Sequence, residues 1–507
     1  MRFLYSFLLF LLLIPFLLPA QTQDWQGVDQ YIDQALREWQ VPGLAVAVVS
    51  KDSVLFMKGY GRLDLRDTLE VNEHTLFAIA SNSKAFTATA MGMLVQEKRL
   101  EWDDPVLDHL PNFQLYDPIA TRKLTIRDLF CHRVGLDTWS GDLTWYGSRY
   151  SRDQVMSRIR FQPPAYDFRT GYGYSNLMYL VAGQVIQSVS GSSWDEYVAK
   201  RLFRPLNMRR SNTSIRALDR LDNVATPHTY RAGETSPVPY RNVDNVGPAA
   251  SINSSVAELS HWLQLQLNMG SYGGQSIVSP EIIQETRTSH NLLTVSNFQR
   301  QLSPTTHFRT YGLGWQLQDY HGRMVVQHTG GMDGMYSYTG FLPEEGVGVI
   351  VLSNRDNHYL INALPLYLFD HSLGIAETDW SQTYLELFRN SEVAAMRKLE
   401  KEQSQADWSQ PTLPVEQYLG RYRCQMYGEA TLQMQGDSII MKLSGHPKIQ
   451  GVLEHWQQDI WTATWNDPIW HQSKISFTVD PAGGVQAFEM QVRPDWIDPF
   501  VYQFERR

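Results

Sequence analysis

Between Trp408 and Pro414 the chain changes texture, and this break limits what it can fold into. From Tyr418 onward the apolar residues alternate in short runs: Thr431 to Met434, Ser438 to Leu443, Ile475 to Val479. Gly428, Gly436-Asp437, Gly445 and Pro481-Ala482-Gly483-Gly484 divide them. Short alternating runs about 8–12 residues apart predict an all-β sandwich or small barrel. Upstream, two periods mix. Asp29 to Trp39 has helical spacing, Leu44 to Val49 is a continuous apolar run, and Lys51-Asp52-Ser53 is a turn ahead of Val54 to Met57. That reads as a helix beside an antiparallel hairpin. Trp315 to Leu317, Met324 to Gln327, Tyr338 to Leu342 and Val347 to Leu352 read as successive strands. Strands at both ends with helices between them predict an α+β domain, an antiparallel sheet flanked by helices plus a helical region.

Trp380 to Gln405 is charged and helical in pattern, and Trp408 to Pro414 is polar with prolines. The chain therefore divides into a leader over 1–20, an α+β domain over 24–375, a helical linker over 376–414 and a β domain over 415–507. The leader follows from Arg2, the apolar stretch Phe3 to Leu18 and the small residue Ala20 before Gln21-Thr22-Gln23. This is the pattern of a secretory signal peptide cut after Ala20, which predicts a secreted or periplasmic protein. An uncleaved membrane anchor is the alternative; the run is slightly short for a span of about 20 residues.

Composition removes other classes. The 507 residues carry a net charge of −9, so no basic surface awaits a nucleic acid. No zinc-type spacing of Cys and His is present, and no metal or organic cofactor is expected. Cys131 and Cys424 lie in different predicted domains and read as two free thiols.

Three short elements carry chemistry, in this order: Ser81-Asn82-Ser83-Lys84, Tyr174-Ser175-Asn176 and His328-Thr329-Gly330 with Gly331. Ser81 stands where an apolar segment, Phe77 to Ala80, gives way to a helix-forming one. Ser and Lys at i and i+3 share a helical face, and an amine with a lowered pKa can take the hydroxyl proton. Alone the pattern says little, because roughly one or two Ser-x-x-Lys matches arise by chance in a chain this long. A helix cap at Ser81 and a solvated Lys84 would explain it equally. Tyr174 adds a phenol able to relay a proton, and Asn176 an amide able to hold Lys84 and a substrate carbonyl. Tyr240-Arg241-Asn242 is a competing match, but Tyr174 has the turn-like Gly171-Tyr172-Gly173 before it and a helical run after it. The third element reads as an edge strand whose His328 and Thr329 face substrate. There the N–H of Gly331, with that of Ser81, would form an oxyanion hole, and the glycine pair admits close backbone approach.

Together and in this order the elements resemble the Ser-x-x-Lys, Tyr-x-Asn and Lys/His-Thr-Gly motifs of the serine β-lactamase and penicillin-binding-protein superfamily. Val41-Pro42-Gly43, Trp102-Asp103-Asp104-Pro105-Val106, Ile126-Arg127-Asp128-Leu129 and Gly312-Leu313-Gly314-Trp315 extend the likeness over most of Trp25 to Leu373. The Tyr-x-Asn form is similar to class C β-lactamases, esterases and D-amino-acid peptidases. Tyr418-Leu419-Gly420-Arg421-Tyr422, Leu453-Glu454-His455-Trp456 and Asp498-Pro499-Phe500 resemble a lipocalin-like domain attached to some serine peptidases of this superfamily. His455 and Trp456 are expected in that barrel's core or rim.

The resemblance implies a β-lactamase/transpeptidase-like fold and an acyl-enzyme on Ser81, with Lys84, Tyr174 and His328 catalytic. Asn176, Thr329, Gly330 and Gly331 would bind substrate and its oxyanion. The superfamily usually places Lys where His328 stands. A mostly neutral imidazole holds a carboxylate less firmly, so peptidase, amidase or esterase action on D-amino-acid-type or small acyl substrates is expected. A β-lactamase or D-Ala-D-Ala carboxypeptidase is the alternative, and a non-catalytic binding protein the third reading. Trp139, Trp145, Tyr146, Tyr150, Phe161, Tyr166 and Phe168 make the stretch from Trp139 to Tyr172 dense in aromatics. Most are expected in the core, with an aromatic substrate wall as the other use. Homo-oligomerisation stays open.

Overall fold

A computed structural model describes residues 25–507 except 232, 304, 377, 405–408, 482 and 494–495. The expected leader lies outside the described residues. Among these, no helix is long and apolar enough to cross a membrane.

An eight-stranded antiparallel sheet organises the first domain. In chain order its strands are β1 (Gly43–Ser50), β2 (Val54–Gly61), β3 (Asn291–Leu293), β4 (Arg309–Tyr311), β5 (Gln316–Tyr320), β6 (Arg323–Met332), β7 (Met335–Leu342) and β8 (Val347–Ser353). They lie in the order β2-β1-β8-β7-β6-β5-β4-β3. The continuous apolar run of β1 is explained by burial on both faces. Leu44, Val46 and Val48 enter one core with helices α1 (Trp25–Glu38) and α5 (Leu360–Leu373). Ala45, Ala47 and Val49 enter the other, which holds α2 (Ser83–Gln96), α3 (Asn176–Ser190) and α4 (Val256–Leu267). The side chains alternate, but both sides find a hydrophobic neighbour.

The segment expected as a helical linker contains α6 (Trp380–Ser404). Its first half is part of the sheet's outer core through Trp380, Tyr384, Leu385 and Phe388. The Trp39 indole also donates to Ser381 Oγ at 3.0 Å. Val393 and Met396 on the second half are exposed.

The tail is a closed barrel of eight strands, each paired with its sequence neighbour and the last with the first. These are β9 (Gly420–Cys424), β10 (Gly428–Gln435), β11 (Ser438–Leu443), β12 (His446–Gln457), β13 (Ile460–Trp465), β14 (Gln472–Val479), β15 (Val485–Met490) and β16 (Tyr502–Arg506). Aromatic rings fill its interior: Tyr422 and Phe477 stand 4.9 and 5.5 Å from Phe488. His455 sits on the rim, Nε2 bonded to the Gln458 carbonyl at 2.8 Å.

The barrel is packed onto the first domain, not tethered beside it. The Tyr150 hydroxyl donates to the Tyr427 carbonyl at 2.5 Å and the Arg149 N–H to the Gly445 carbonyl at 2.9 Å. His446 Nε2 donates to the Tyr146 carbonyl at 2.6 Å. Arg241 reaches across to Asp467 at 2.8 and 3.0 Å. Both cysteines are buried free thiols, and burial pushes Cys131 up to about 12 and Cys424 to about 11.

Candidate active site

Ser81 lies in a one-turn helical segment, Ala80–Asn82, immediately ahead of α2. Ala80 has φ +45°, a left-handed conformation without glycine's freedom, so the turn carrying Ser81 is strained. Two hydroxyls of β7 and one amide hold that turn. Ser337 Oγ donates to the Ile79 carbonyl at 2.7 Å and accepts from Asn82 Nδ2 at 2.8 Å, while Thr339 donates to Asn82 Oδ1. Asn82 is therefore a strut of the turn.

From Ser83 to Leu94 α2 is buried on every side. Its small residues permit this: a Cβ added to Gly92 would stand 2.2 Å from Ile282. Lys84 consequently has no route to water and is 0% exposed. Its Nζ contacts Ser81 Oγ at 3.0 Å, Asn176 Oδ1 at 2.7 Å and the Ala249 carbonyl at 3.1 Å. Burial pulls the amine down to about 7 against the opposing Asp142 carboxyl. Two of the three contacts are to oxygens that only accept. A neutral amine spends both N–H bonds on them, which leaves its lone pair directed at the Ser81 hydroxyl.

The orientation of Asn176 is fixed from behind. Its Nδ2 meets Asp142 Oδ2 at 2.5 Å, so Oδ1 must face Lys84. Asp142 is buried, takes the Trp145 indole N–H at 2.7 Å, and burial holds its carboxyl well above the usual range. Tyr174 precedes the α3 N-cap, Ser175, whose hydroxyl accepts the Met178 N–H. The Lys84 ammonium position lies 4.6 Å from the Tyr174 ring centre. Burial raises the Tyr174 phenol well above its ordinary value, and a hydrogen bond with Ser81 opposes this.

The third element departs from expectation in two ways. β6 is an interior strand, not an edge strand. However, β5 pairs only with Arg323 to Gln327, while β7 pairs with Val326 to Met332. Beyond Gln327 the strand is thus bonded on one side, and Thr329 and Gly331 border the cavity along the other. The second departure concerns His328, which is 1% exposed. Its Nδ1 lies 2.5 Å from the Thr329 carbonyl and its Nε2 2.8 Å from the Tyr311 hydroxyl. The carbonyl only accepts, so Nδ1 carries the hydrogen and Nε2 accepts from Tyr311. Burial and Lys84 pull the imidazole down to about 3. It is neutral, its one N–H is engaged, and it has no proton to offer a substrate. Gly330 has a steric reason: a Cβ there would stand 2.2 Å from the Ile79 carbonyl oxygen, so only glycine lets β6 lie against the Ser81 turn.

These residues surround a cavity of about 320 Å³ that holds Ser81, Tyr174, Asn176, His328, Thr329 and Gly331. Of the aromatic stretch, Trp139, Trp145, Tyr146 and Tyr172 line it; Tyr150, Phe161, Tyr166 and Phe168 do not. Arg241 of the competing motif serves the domain interface through Asp333 at 2.7 Å and Asp467. Among the described residues no group of three or more His, Cys, Asp or Glu is placed to hold a metal ion. Sequence reasoning missed Asp142, Tyr311 and His132, whose ring lies 4.3 Å from Tyr174 and 4.4 Å from Tyr311. It also missed two barrel residues, Trp496 and Ile497, in the cavity wall. Tyr311 directly precedes the Gly312-Leu313-Gly314-Trp315 run, and Ile497 precedes Asp498-Pro499-Phe500, so both had neighbouring signals.

Compared with known families, residues 28–365, more than half of the chain, match the Beta-lactamase family. The chain belongs to the β-lactamase family. Residues 405–505 match a domain of unknown function (DUF3471). A curated relative, the unguisins hydrolase ungD of Aspergillus violaceofuscus, is 29% identical over 442 residues, 80% of this chain and 76% of its own. The octameric penicillin-binding protein homologue from Pyrococcus abyssi shares the fold over 95% of this chain and 99% of its own, with TM-score 0.61 and 21% identity. A D-stereospecific amidohydrolase from Streptomyces sp. covers 64% of this chain and 94% of its own, with TM-score 0.52 and 21% identity. The likeness to the Pyrococcus protein spans the barrel as well as the β-lactamase-like domain. This family consists of serine hydrolases.

Proposed function

We propose that this chain is an exported serine hydrolase that cleaves an amide, peptide or ester bond through an acyl-enzyme on Ser81. One observation carries the reading: the buried Lys84 amine, its N–H bonds absorbed by Asn176 and Ala249, turns its lone pair to the Ser81 hydroxyl at 3.0 Å. Lys84 takes the proton as Ser81 attacks the carbonyl carbon. The N–H groups of Ser81 and Gly331 receive the oxyanion. Tyr174, beside both Ser81 and Lys84, passes the proton to the leaving group. Water then cleaves the ester, the proton returns through the same pair, and Ser81 is regenerated.

The substrate is an acyl compound without a required carboxylate, of the D-amino-acid or small-acyl kind. Where a cation would hold a carboxylate, the pocket presents the neutral His328. The names of two similar proteins, an unguisins hydrolase and a D-stereospecific amidohydrolase, agree with hydrolysis, and the second with hydrolysis of an amide. Export rests on the leader over 1–20. A β-lactamase or carboxypeptidase would need another cation for the carboxylate, and turnover of a chromogenic cephalosporin against D-amino-acid amides separates the readings.

The test is a labelled fluorophosphonate on wild type and Ser81→Ala. Label on the Ser81 peptide of the wild type and none on the variant is expected. Equal labelling of both would mean that another nucleophile acts.

A further inference from the structure

The barrel's approach to the cavity contains a chain of contacts that the catalytic residues do not explain. Trp496 and Ile497 line the cavity with Ser81. The Trp496 ring comes within 3.5 Å of the place a Cβ on Gly331 would occupy, beside the proposed oxyanion donor. Its indole N–H reaches Asp333 Oδ1 at 3.4 Å, and its ring centre lies 6.0 Å from that of Tyr336.

Asp498, which follows Ile497, is wholly buried and grips the first domain. Its Oδ1 accepts the N–H of Gly141 at 3.1 Å and of Phe500 at 2.8 Å. Its Oδ2 accepts the N–H of Leu143 at 2.8 Å and the Tyr502 hydroxyl at 2.6 Å. Every partner is a donor, so an acceptor-only group is required. Gly141 is shaped for this approach: it has φ +83°, and a Cβ there would meet Gln162 at 2.3 Å and the barrel's Met426 at 2.7 Å. Between the two gripped N–H groups sits Asp142, which orients Asn176 and through it Lys84.

We infer that Trp496, Ile497 and Asp498, just ahead of the barrel's last strand, are a working part of the active site. Trp496 and Ile497 form a specificity wall for a bulky apolar or aromatic acyl substituent, and Asp498 is the positioning residue that clamps this wall to the loop bearing Asp142. Trp139, Trp145, Tyr146 and Met332 line the same cavity and add apolar surface to it. Arg241, which shares Asp333 with the Trp496 indole, is paired with Asp333 and Asp467. Aromatic surfaces of this kind bury large area and discriminate by size.

This rests on the proposed function, and the test separates the two. In the full-length chain, kcat/KM is measured for p-nitrophenyl phenylacetate and p-nitrophenyl acetate, and the ratio taken. Trp496→Ala lowers the ratio about tenfold, within the range that pocket contacts to apolar groups supply. Asp498→Asn lowers it in the same direction, because an amide must turn a donor toward a backbone N–H. Val501→Ala, exposed shortly after Asp498, keeps the wild-type ratio. On a Ser81→Ala background, calorimetry with phenylacetamide reads the wall without chemistry, and Trp496→Ala weakens binding by a similar factor. An ester ratio and an amide affinity both unchanged in Trp496→Ala overturn the inference. Absence of any Ser81 adduct in the wild type instead overturns the function, and the calorimetry still decides the wall.

Discussion

A lysine at a helix's second residue ordinarily reaches water; here the helix it starts is buried all round. That difference turns Lys84 from a surface charge into a base. Its amine is held at about 7, and only the unprotonated form can accept the Ser81 proton. The rate therefore rises with pH through about 7 and falls below it, and kcat/KM for a neutral ester read from pH 5 to 9 checks this. A profile flat down to pH 5 would refute the assignment. Lys84→Met should lower kcat about a hundredfold or more, the usual scale for a lost general base, with the fold intact by circular dichroism. His328 yields a second prediction. His328→Lys restores a cation at the cavity, so the kcat/KM ratio of a carboxylate-ended substrate to its neutral amide should rise about tenfold, consistent with a charged hydrogen bond. Competing esters, one with a free carboxylate and one methylated, measure that ratio.

Strands and helices supply the precision that residues cannot. Gly330 is the clearest case, because β6 and the Ser81 turn are closer there than any side chain allows. Gly330→Ala should cost about 1–3 kcal/mol of stability from the forced shift, and a larger share of activity, read by urea unfolding alongside ester turnover. Much at this scale was legible beforehand. The Leu44 to Val49 run, the strand series after Gly314 and the short alternating runs after Tyr418 all appear as strands. The motif order also singled out Ser81, Lys84, Tyr174 and Asn176, which the fold brings into contact with one another. The position of β6 was not legible. Local alternation shows that a segment is a strand, but its neighbours are set by partners distant in sequence, and β5 happens to end where His328 begins. For the same reason His328 looked like a substrate-facing imidazole. Its hydrogen-bond partner Tyr311 is on a strand that no motif names. Asp142 lies within an aromatic stretch, and nothing in the local sequence marks its carboxylate as buried.

At the scale of the whole molecule, the role of the tail was not legible in the sequence. Its aromatic and apolar residues join the first domain's core, and Trp496 and Ile497 line the cavity. Arg241 tests how strongly the two are joined. It is buried between Asp333 and Asp467, so Arg241→Met leaves two carboxylates without their cation. A loss of about 3–5 kcal/mol is expected, the scale for breaking a buried pair from one side. Chemical denaturation with fluorescence from the fifteen-tryptophan complement reads it. One cooperative transition should persist in the wild type.

Ser81 is expected to form a covalent ester during turnover. Rapid quenching of the enzyme with excess p-nitrophenyl phenylacetate, followed by mass spectrometry of the digest, should reveal the phenylacetyl group on the peptide containing Ser81, and Ser81→Ala should show neither adduct nor turnover. Turnover that continues undiminished in Ser81→Ala, or an adduct located on another residue, would contradict it.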